Sequence, residues 1–314
     1  MAVTHRARHT ITVGAPARTV YGIIADAAAW PRVFPPSVHV EQTPLGGGEE
    51  TLRVWATANG GVKSWESRRR LDPAGLTIGF RQVRSPAPAA SMGGEWRIRP
   101  LADARCEVVL LHEFTAVDDD PGHVAWLNRA LDENSSAELS RMKATAESAD
   151  GLGELLHVFE DSVRIEAPAA GVHAFLWRAE HWEERLPHVA RVELTEPRPD
   201  VQTLEMETLA RDGSRHTTAS VRVSPDPARI VYKQLRVPPL LTAHVGAWLL
   251  SESGGTTTAT ARHTVVIDPS AVHLLGPGST VAGARSYVRD ALGTNSLATL
   301  RRAKEFTERS PAAG

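Results

Sequence analysis

The chain contains two copies of one pattern, offset by 152 residues. Residue types recur at this offset without a gap over about 80 residues. The recurring pairs include Trp30 and Trp182, Glu41 and Glu193, Gln82 and Gln234, Arg84 and Arg236, and Trp96 and Trp248. The pattern then slips, so that Asn134 meets Asn295. The duplication predicts two domains, 1–150 and 151–314. Positions kept in both copies are expected to be architectural, and polar positions present in only one copy are candidates for chemistry.

Composition and charge exclude several classes of protein. A formal net charge of −2 over 314 residues gives no support for nucleic-acid binding. No stretch approaches the roughly 18 consecutive apolar residues that would predict a membrane span. The basic residues near the N-terminus are not followed by an apolar stretch, so no signal peptide is predicted and a cytoplasmic protein is expected. Cys106 is the one cysteine, which rules out an intrachain disulfide, and we expect it to be a small core residue.

Hydrophobic periodicity predicts the same order of elements in each copy: a strand, a helix, a run of antiparallel strands and a long closing helix. In the first copy the predicted helices cover 17–29, ended by Trp30-Pro31, and about 121–148; the predicted strands cover 9–13, 52–56, 62–71, 76–83, 94–99 and 107–114. This order indicates an α+β fold. A curved antiparallel sheet wrapped around one long helix leaves an internal cavity suited to an apolar ligand.

Four features carry a family resemblance: Trp30-Pro31 after the first helix, the strand Trp65 to Arg70, Met92 to Trp96, and Asn134 in the closing helix. With the tandem arrangement, they make the chain resemble the START/Bet v 1-like helix-grip superfamily. Within it, the chain is most similar to the di-domain aromatase/cyclases of bacterial type II polyketide synthases. The resemblance implies cyclisation and aromatisation of a ketoreduced poly-β-ketone chain. The partners that it implies are the acyl carrier protein bearing that chain and the other synthase components.

The strand from Trp65 to Leu71 holds the strongest catalytic candidates. Alternation places Trp65, Ser67 and Arg69 on one face, which we expect to point inward. The constant offset pairs Arg69 with Val221, so the arginine belongs to the first copy alone. A buried guanidinium needs a carboxylate or an anionic ligand, and Arg69 could instead be a surface residue. We predict that Arg69 polarises substrate carbonyl oxygens, with Ser67 relaying a proton through water. An ordinary strand serine is the other interpretation of Ser67.

Apolar residues supply the predicted walls of the site. Trp30, Trp65, Met92 and Trp96 are assigned to substrate binding because flat aromatic walls suit a planar product. Plain core packing is the alternative for Trp30, Trp96 and Met92. Trp65 has no counterpart in the second copy, which favours a role in the pocket.

Polar residues at the margins complete the candidate set. Asn134 lies near the apolar stripe of the closing helix, where it would bind a substrate carbonyl or make a structural hydrogen bond. Arg81 is assigned either to the rim of the site or to the phosphate of the carrier's phosphopantetheine arm. Arg68 and Arg70 are expected to face solvent, where they could dock an acidic carrier protein.

Other catalytic patterns are missing from the sequence, and we expect a site without cofactor or metal. The histidines show no metal-ligand spacing, no glycine-rich loop precedes a phosphate-binding lysine, and no nucleophile elbow is found. Two alternatives stay open. Thr217, Ser220, Arg222 and His244 could form a second active site. The whole protein could instead be a non-catalytic carrier of an apolar small molecule, which the fold alone does not exclude.

Overall fold

A computed structural model describes residues 2–58, 60–148, 153–209, 213 and 215–309. The chain divides into two compact units, 1–151 and 152–314. Each unit is α+β, with one antiparallel sheet of seven strands and a long helix at its C-terminal end.

The first unit begins with a strand and a helix. Its strands are β1 His5–Val13, β2 Ser37–Gly46, β3 Glu49–Ala58, β4 Gly61–Asp72, β5 Thr77–Gln82, β6 Ala89–Ala102 and β7 Arg105–Ala116. Its helices are α1 Ala17–Ala25, α2 Trp30–Val33 and α3 Pro121–Glu147. The sheet order is β1-β7-β6-β5-β4-β3-β2, so consecutive strands from β2 to β7 are neighbours and β1 closes the sheet against β7.

The second unit repeats this plan. Its strands are β8 Leu156–Ile165, β9 Val189–Arg198, β10 Val201–Leu209, β11 Arg215–Asp226, β12 Arg229–Arg236, β13 Leu241–Ser253 and β14 Thr256–Ile267. Its helices are α4 Ala169–Trp177, α5 Trp182–Arg185 and α6 Val281–Arg309. The sheet order is β8-β14-β13-β12-β11-β10-β9.

The closing helix of each unit packs on the sheet through small and apolar residues. On α3 the buried residues recur every three or four positions and are Leu127, Leu131, Ser135, Leu139, Met142 and Ala146. Met142 is fully buried in the main core of the first unit, which also contains Trp96 and Cys106. Helix α3 begins where the sequence predicts, since the Asp120 side chain accepts a hydrogen bond of 2.9 Å from the His123 backbone N–H and Pro121 takes the first turn.

Two details of the first copy differ from the sequence prediction. Trp30-Pro31 was predicted to end a helix over 17–29, but α1 ends at Ala25 and Trp30–Val33 forms a short helix of its own. Proline is compatible with the first turn of a helix, where its missing N–H has no partner to lose. Strand β2 was not predicted at all, since its second half has no buried residue and therefore no alternation to recognise.

One pair of hairpins determines how the two sheets correspond. In the first unit Thr57 pairs with Val62, and in the second unit Leu209 pairs with Arg215, with one more residue in between. Strand β11 therefore lies one position out of the constant offset. The offset returns at β12, since Arg69 pairs with Phe80 and Arg222 pairs with Tyr232. A shift of one residue moves every side chain of a strand to the other face of the sheet.

Candidate active site

The inward direction of Arg69 agrees with the sequence prediction. Ser67 and Arg69 are buried, and Arg68 and Arg70 are exposed. Trp65 is half-buried and packs beside Trp30 on a small apolar cluster. The alternation of this strand therefore survives in the folded chain.

Arg69 has a carboxylate partner, as burial of a charge requires. Its Nε donates to Glu50 Oε1 at 2.7 Å, and its Nη2 lies 2.5 Å from the same oxygen. The guanidinium also donates to the backbone carbonyls of Ile24 and Ala25, at 2.8 and 2.6 Å, and lies 5.1 Å from the Trp30 ring centre. Burial lowers the pKa of Arg69, and the Glu50 charge opposes that shift. The Arg69 charge is thus compensated, and its bonds secure the end of α1.

Val221 is not the counterpart of Arg69, which overturns the asymmetry inferred from the sequence. Arg69 lies opposite Glu50, and Arg222 lies opposite Gln202. Because the hairpin is one residue longer, the true partners are Trp65 and Thr218, Ser67 and Ser220, and Arg69 and Arg222. Serine and arginine therefore occur in both copies, and only the tryptophan is confined to one.

Among the described residues no carboxylate forms an ion pair with buried Arg222, although its partner Gln202 donates a hydrogen bond of 2.6 Å to Glu196. Arg222 is 2% exposed, and its Nη1 donates to the side-chain oxygen of Gln202 at 3.0 Å. Further bonds go to the backbone carbonyls of Leu176 and Trp177. The indole rings of Trp177 and Trp182 lie 5.3 and 4.9 Å from the guanidinium carbon. Burial lowers the pKa of Arg222 to about 10, so the group stays protonated near neutrality.

A cavity of about 340 Å³ lies in the second unit, between the sheet and α6. Arg222, Thr218 and Ser220 contribute to its wall, together with Trp182 and Trp248. Most of the remaining wall is apolar, from residues such as Leu204, Met206, Leu240 and Val288. A fixed cation in a hollow of this kind favours a planar ligand that carries or develops negative charge on oxygen.

Histidines occupy the same wall. His244 Nε2 lies 3.0 Å from His263 Nδ1, and His263 Nε2 lies 3.1 Å from Ser296 Oγ. Burial lowers the pKa of His244 to about 3 and that of His263 to about 4, so both rings are neutral at neutral pH. Tyr232 completes the group, with its hydroxyl 3.4 Å from His263 Nδ1.

Two predicted binding residues lie away from the interior. Asn134 is exposed on α3, and the next residue, Ser135, takes the inward position. A helix turns by about 100° per residue, so proximity to an apolar stripe in the sequence did not fix this side chain's direction. Arg81 is also exposed, because it pairs with outward-facing Arg68 while Phe80 faces the opposite way.

The other predicted wall residues are packed in the first unit. Trp96 is 5% exposed and belongs to the main core. Met92 packs on the cluster around Phe114 and Leu127. The Nε1 of Trp30 donates to the Ile24 carbonyl at 3.2 Å. Their counterparts Trp182, His244 and Trp248 line the cavity of the second unit.

Sequence reasoning missed Gln202, Tyr232, His263 and Ser296. The constant offset does pair Glu50 with Gln202 and Phe80 with Tyr232. The sequence therefore already shows a charged residue replaced by a neutral one in the first pair and an apolar residue replaced by a polar one in the second. His263 gave no such signal, because a histidine, His112, occurs near the same offset in the first copy. Among the described residues, no three His, Cys, Asp or Glu side chains are grouped as metal ligands. In the same part of the chain, no helix is long and apolar enough to cross a bilayer.

Both halves of the chain resemble known proteins. The family model described as polyketide cyclase/dehydrase and lipid transport matches twice, over residues 4–147 and 157–305. The granaticin polyketide synthase bifunctional cyclase/dehydratase of Streptomyces violaceoruber is 46% identical over 308 residues, covering 98% of this chain and 95% of that protein. The actinorhodin polyketide synthase bifunctional cyclase/dehydratase of Streptomyces coelicolor is 46% identical over 310 residues, covering 95% of this chain and 96% of its own length.

Solved structures agree over the same length. The di-domain ARO/CYC BexL, from the BE-7585A biosynthetic pathway, is 49% identical with a TM-score of 0.90, and the match covers 98% of this chain and 100% of that one. StfQ, the di-domain ARO/CYC from the steffimycin pathway, is 36% identical with a TM-score of 0.87, covering 96% and 98%. The predicted α+β fold with two tandem helix-grip domains is confirmed. Because both halves match the family model and the relatives span nearly the full chain, the protein belongs to the polyketide cyclase/dehydrase family.

Proposed function

We propose that the protein is an aromatase/cyclase of a type II polyketide synthase. It closes the first ring of a poly-β-ketone chain by intramolecular aldol condensation and dehydrates that ring to an aromatic one. Relatives that match nearly the whole chain are bifunctional cyclase/dehydratases. The single observation that carries the chemistry is the protonated Arg222, bonded directly to neutral acceptors, in the wall of the apolar cavity.

The cavity of the second unit is proposed as a reaction chamber. In an aldol closure, an enol carbon attacks a ketone carbon of the same chain, and negative charge develops on both oxygens. A guanidinium fixed in a low-dielectric pocket stabilises that charge, and loss of one such donor typically costs about 10²- to 10³-fold in rate. Arg222 keeps its proton and therefore acts by charge and hydrogen bonding rather than as a general acid.

Arg69 and Ser67 keep a proposed catalytic role that is more limited than the sequence indicated. Three of the five N–H donors of Arg69 already bond Glu50 and two backbone carbonyls, and its Nη2 also lies 2.5 Å from the Glu50 carboxylate. A guanidinium so occupied has little capacity left for a substrate oxygen. Arg222 makes three hydrogen bonds, all to neutral acceptors, and lines the cavity; Glu180 and Glu196 act on its charge, although neither forms an ion pair with it among the described residues.

The proposed partner is an acyl carrier protein that bears the chain, and an exposed basic surface of the first unit is its proposed docking site. Arg68 and Arg81 face each other across β4 and β5, and Arg70 extends the same exposed surface. We call these three residues the basic patch. Like charges directly across a sheet repel, and an acidic partner relieves that repulsion. The described residues provide no ion pair to any of the three.

Reconstitution tests the proposal. The protein is added to a minimal synthase, its carrier protein and a ketoreductase, and the products are separated by chromatography. The expected result is a shift from shunt products to the chain with its first ring aromatised, which Arg222→Gln abolishes. A pattern of shunt products unchanged by the wild-type protein would reject enzymatic activity and leave a carrier of apolar molecules.

A further inference from the structure

A continuous line of polar side chains crosses the second sheet inside the cavity. Tyr232 on β12, His244 on β13 and His263 on β14 occupy adjacent strands, and Ser296 on α6 ends the line. Gly246 makes the close approach possible, because a Cβ at this position would lie 2.1 Å from the Tyr232 ring. All four polar side chains line the cavity wall.

The hydrogen bonds along this line determine which nitrogen atoms carry protons. Ser296 Oγ donates to the Leu292 carbonyl at 2.8 Å, so it accepts from His263 Nε2–H. In a neutral ring the other nitrogen of His263, Nδ1, then holds a lone pair and accepts from His244 Nε2–H. This leaves a lone pair on His244 Nδ1.

His244 Nδ1 is a buried acceptor that lacks a donor. No described residue contacts it with a hydrogen bond, and the side chain is 1% exposed. Buried polar atoms are normally paired, and an unpaired one on a residue that lines a cavity is an atom that a ligand group can complete. The complementary group is a hydroxyl, because a ketone oxygen has no proton to donate.

The first unit lacks this arrangement. There Phe80 and Met92 take the places of Tyr232 and His244, and only His112 and Ser135 are kept. The polar line is therefore an addition to the shared scaffold and belongs to the unit in which the buried arginine bonds Gln202 instead of a carboxylate.

We propose that His244 is a specificity-determining residue that accepts a hydrogen bond from a hydroxyl of the bound chain. The site then prefers an alcohol or an enol over a ketone at the carbon beside it. His263 and Ser296 are positioning residues, since they set the tautomer of His244. That the bound molecule is a polyketide chain rests on the proposed function. The preference for a hydroxyl is tested by binding alone and does not depend on it.

The test compares two probes of nearly equal shape, 1-(2-naphthyl)ethanol and 2-acetylnaphthalene, by calorimetric titration of the full-length protein. We expect the wild type to bind the alcohol about tenfold more tightly than the ketone, as one hydrogen bond to a buried acceptor allows. His244→Met, which installs the residue of the first unit, should remove the preference. Ser296→Ala should reduce the preference, because it removes the bond that fixes the tautomers of His263 and His244. This smaller substitution also keeps the test available if His244→Met does not fold.

Met206→Leu is the matched control, because it conserves volume and lies in the same wall. It should leave the ratio of the two affinities unchanged. Equal affinities in the wild type, or a preference that survives both His244→Met and Ser296→Ala, would overturn the proposal. If the preference is present and the reconstituted synthase is unaffected by the protein, the proposed function fails and the hydroxyl subsite stands.

Discussion

The side-chain oxygen of Gln202 accepts a hydrogen bond of 3.0 Å from Arg222, at the cross-strand position where the first unit pairs Arg69 with Glu50. One unit thus pairs its buried guanidinium directly with a carboxylate, whereas in the other Gln202 stands between Arg222 and the Glu196 carboxylate. In an apolar cavity this difference decides which arginine can stabilise a developing oxyanion.

Removing the charge of Arg222 should slow cyclisation. We expect Arg222→Gln to lower the rate of formation of the aromatic product about 10²- to 10³-fold, since an oxyanion loses its fixed cation. Gln202→Glu should also lower the rate, because a new carboxylate would neutralise the same guanidinium. Product formation in the reconstituted synthase measures both effects.

Glu50→Gln provides the control for the Arg222 experiment. It places glutamine, the residue found at position 202 in the second unit, at the matching position of the first unit. A rate for Gln202→Glu equal to that of the wild type would contradict the importance of a neutral side-chain partner for Arg222.

Breaking the buried pair of the first unit should destabilise that unit. Arg69→Met leaves the Glu50 carboxylate buried without its cation, which typically costs about 3–5 kcal/mol. Adding Glu50→Gln to Arg69→Met should recover part of the loss, since the buried charge is then gone. The free energy of unfolding in urea measures both variants. If Arg69→Ala yields the normal product at an unchanged rate while still folded, the catalytic role predicted for Arg69 is wrong.

The second unit should lose stability in mild acid. In the folded unit the pKa values of His244 and His263 are lowered to about 3 and about 4, against an ordinary value of 6.5. Above about pH 6.5 the two histidines are neutral in both the folded and the unfolded state. Below it the unfolded chain binds one proton on each histidine, and the folded unit does not. Between about pH 7 and 5 the free energy of unfolding should fall by about 2 kcal/mol for each histidine.

Urea unfolding at both pH values measures the acid effect, and His244→Met should show the smaller loss. An identical pH dependence in the wild type and in His244→Met would contradict the neutral state assigned to the ring.

Gly246 should tolerate no side chain. A Cβ there would lie 2.1 Å from the Tyr232 ring, so Gly246→Ala must displace that ring from the cavity wall. We expect a loss of about 1–3 kcal/mol in unfolding free energy, as overpacking of a core typically produces. Gly171→Ala is the matched control, because its new Cβ would meet only a methyl of Thr307 at 3.7 Å and should not destabilise α4. Equal free energies of unfolding for the two variants would show that displacing the Tyr232 ring costs no stability.

Charge reversal in the basic patch should weaken carrier binding. Arg68→Glu with Arg70→Glu is expected to reduce affinity for an acidic acyl carrier protein at low salt, with a smaller effect at high salt. Reversal of two exposed arginines on α6, Arg301 and Arg309, changes the net charge equally and should have little effect. Calorimetric titration with the carrier protein decides the question, and unaltered binding would reject docking at this patch.

The duplicated pattern determined much about this protein before folding was considered. The two α+β units, the start of α3 and the inward direction of Ser67 and Arg69 all follow from periodicity and from capping residues, which act over a few neighbouring positions. The equivalence of Glu50 and Gln202 also follows from the offset, but the sequence did not show that each of them bonds a buried arginine.

Tertiary structure alone decided which residues of the two copies correspond and which of them meet. A hairpin longer by one residue moved Arg222 into the place assigned to Val221, because side chains alternate and a shift of one exchanges the two faces. Asn134 and Arg81 turned outward for the related reason that side-chain direction depends on helix phase and strand register. The line from Tyr232 to Ser296 joins residues far apart along the chain, and only the packing of three strands and a helix brings them within hydrogen-bonding distance.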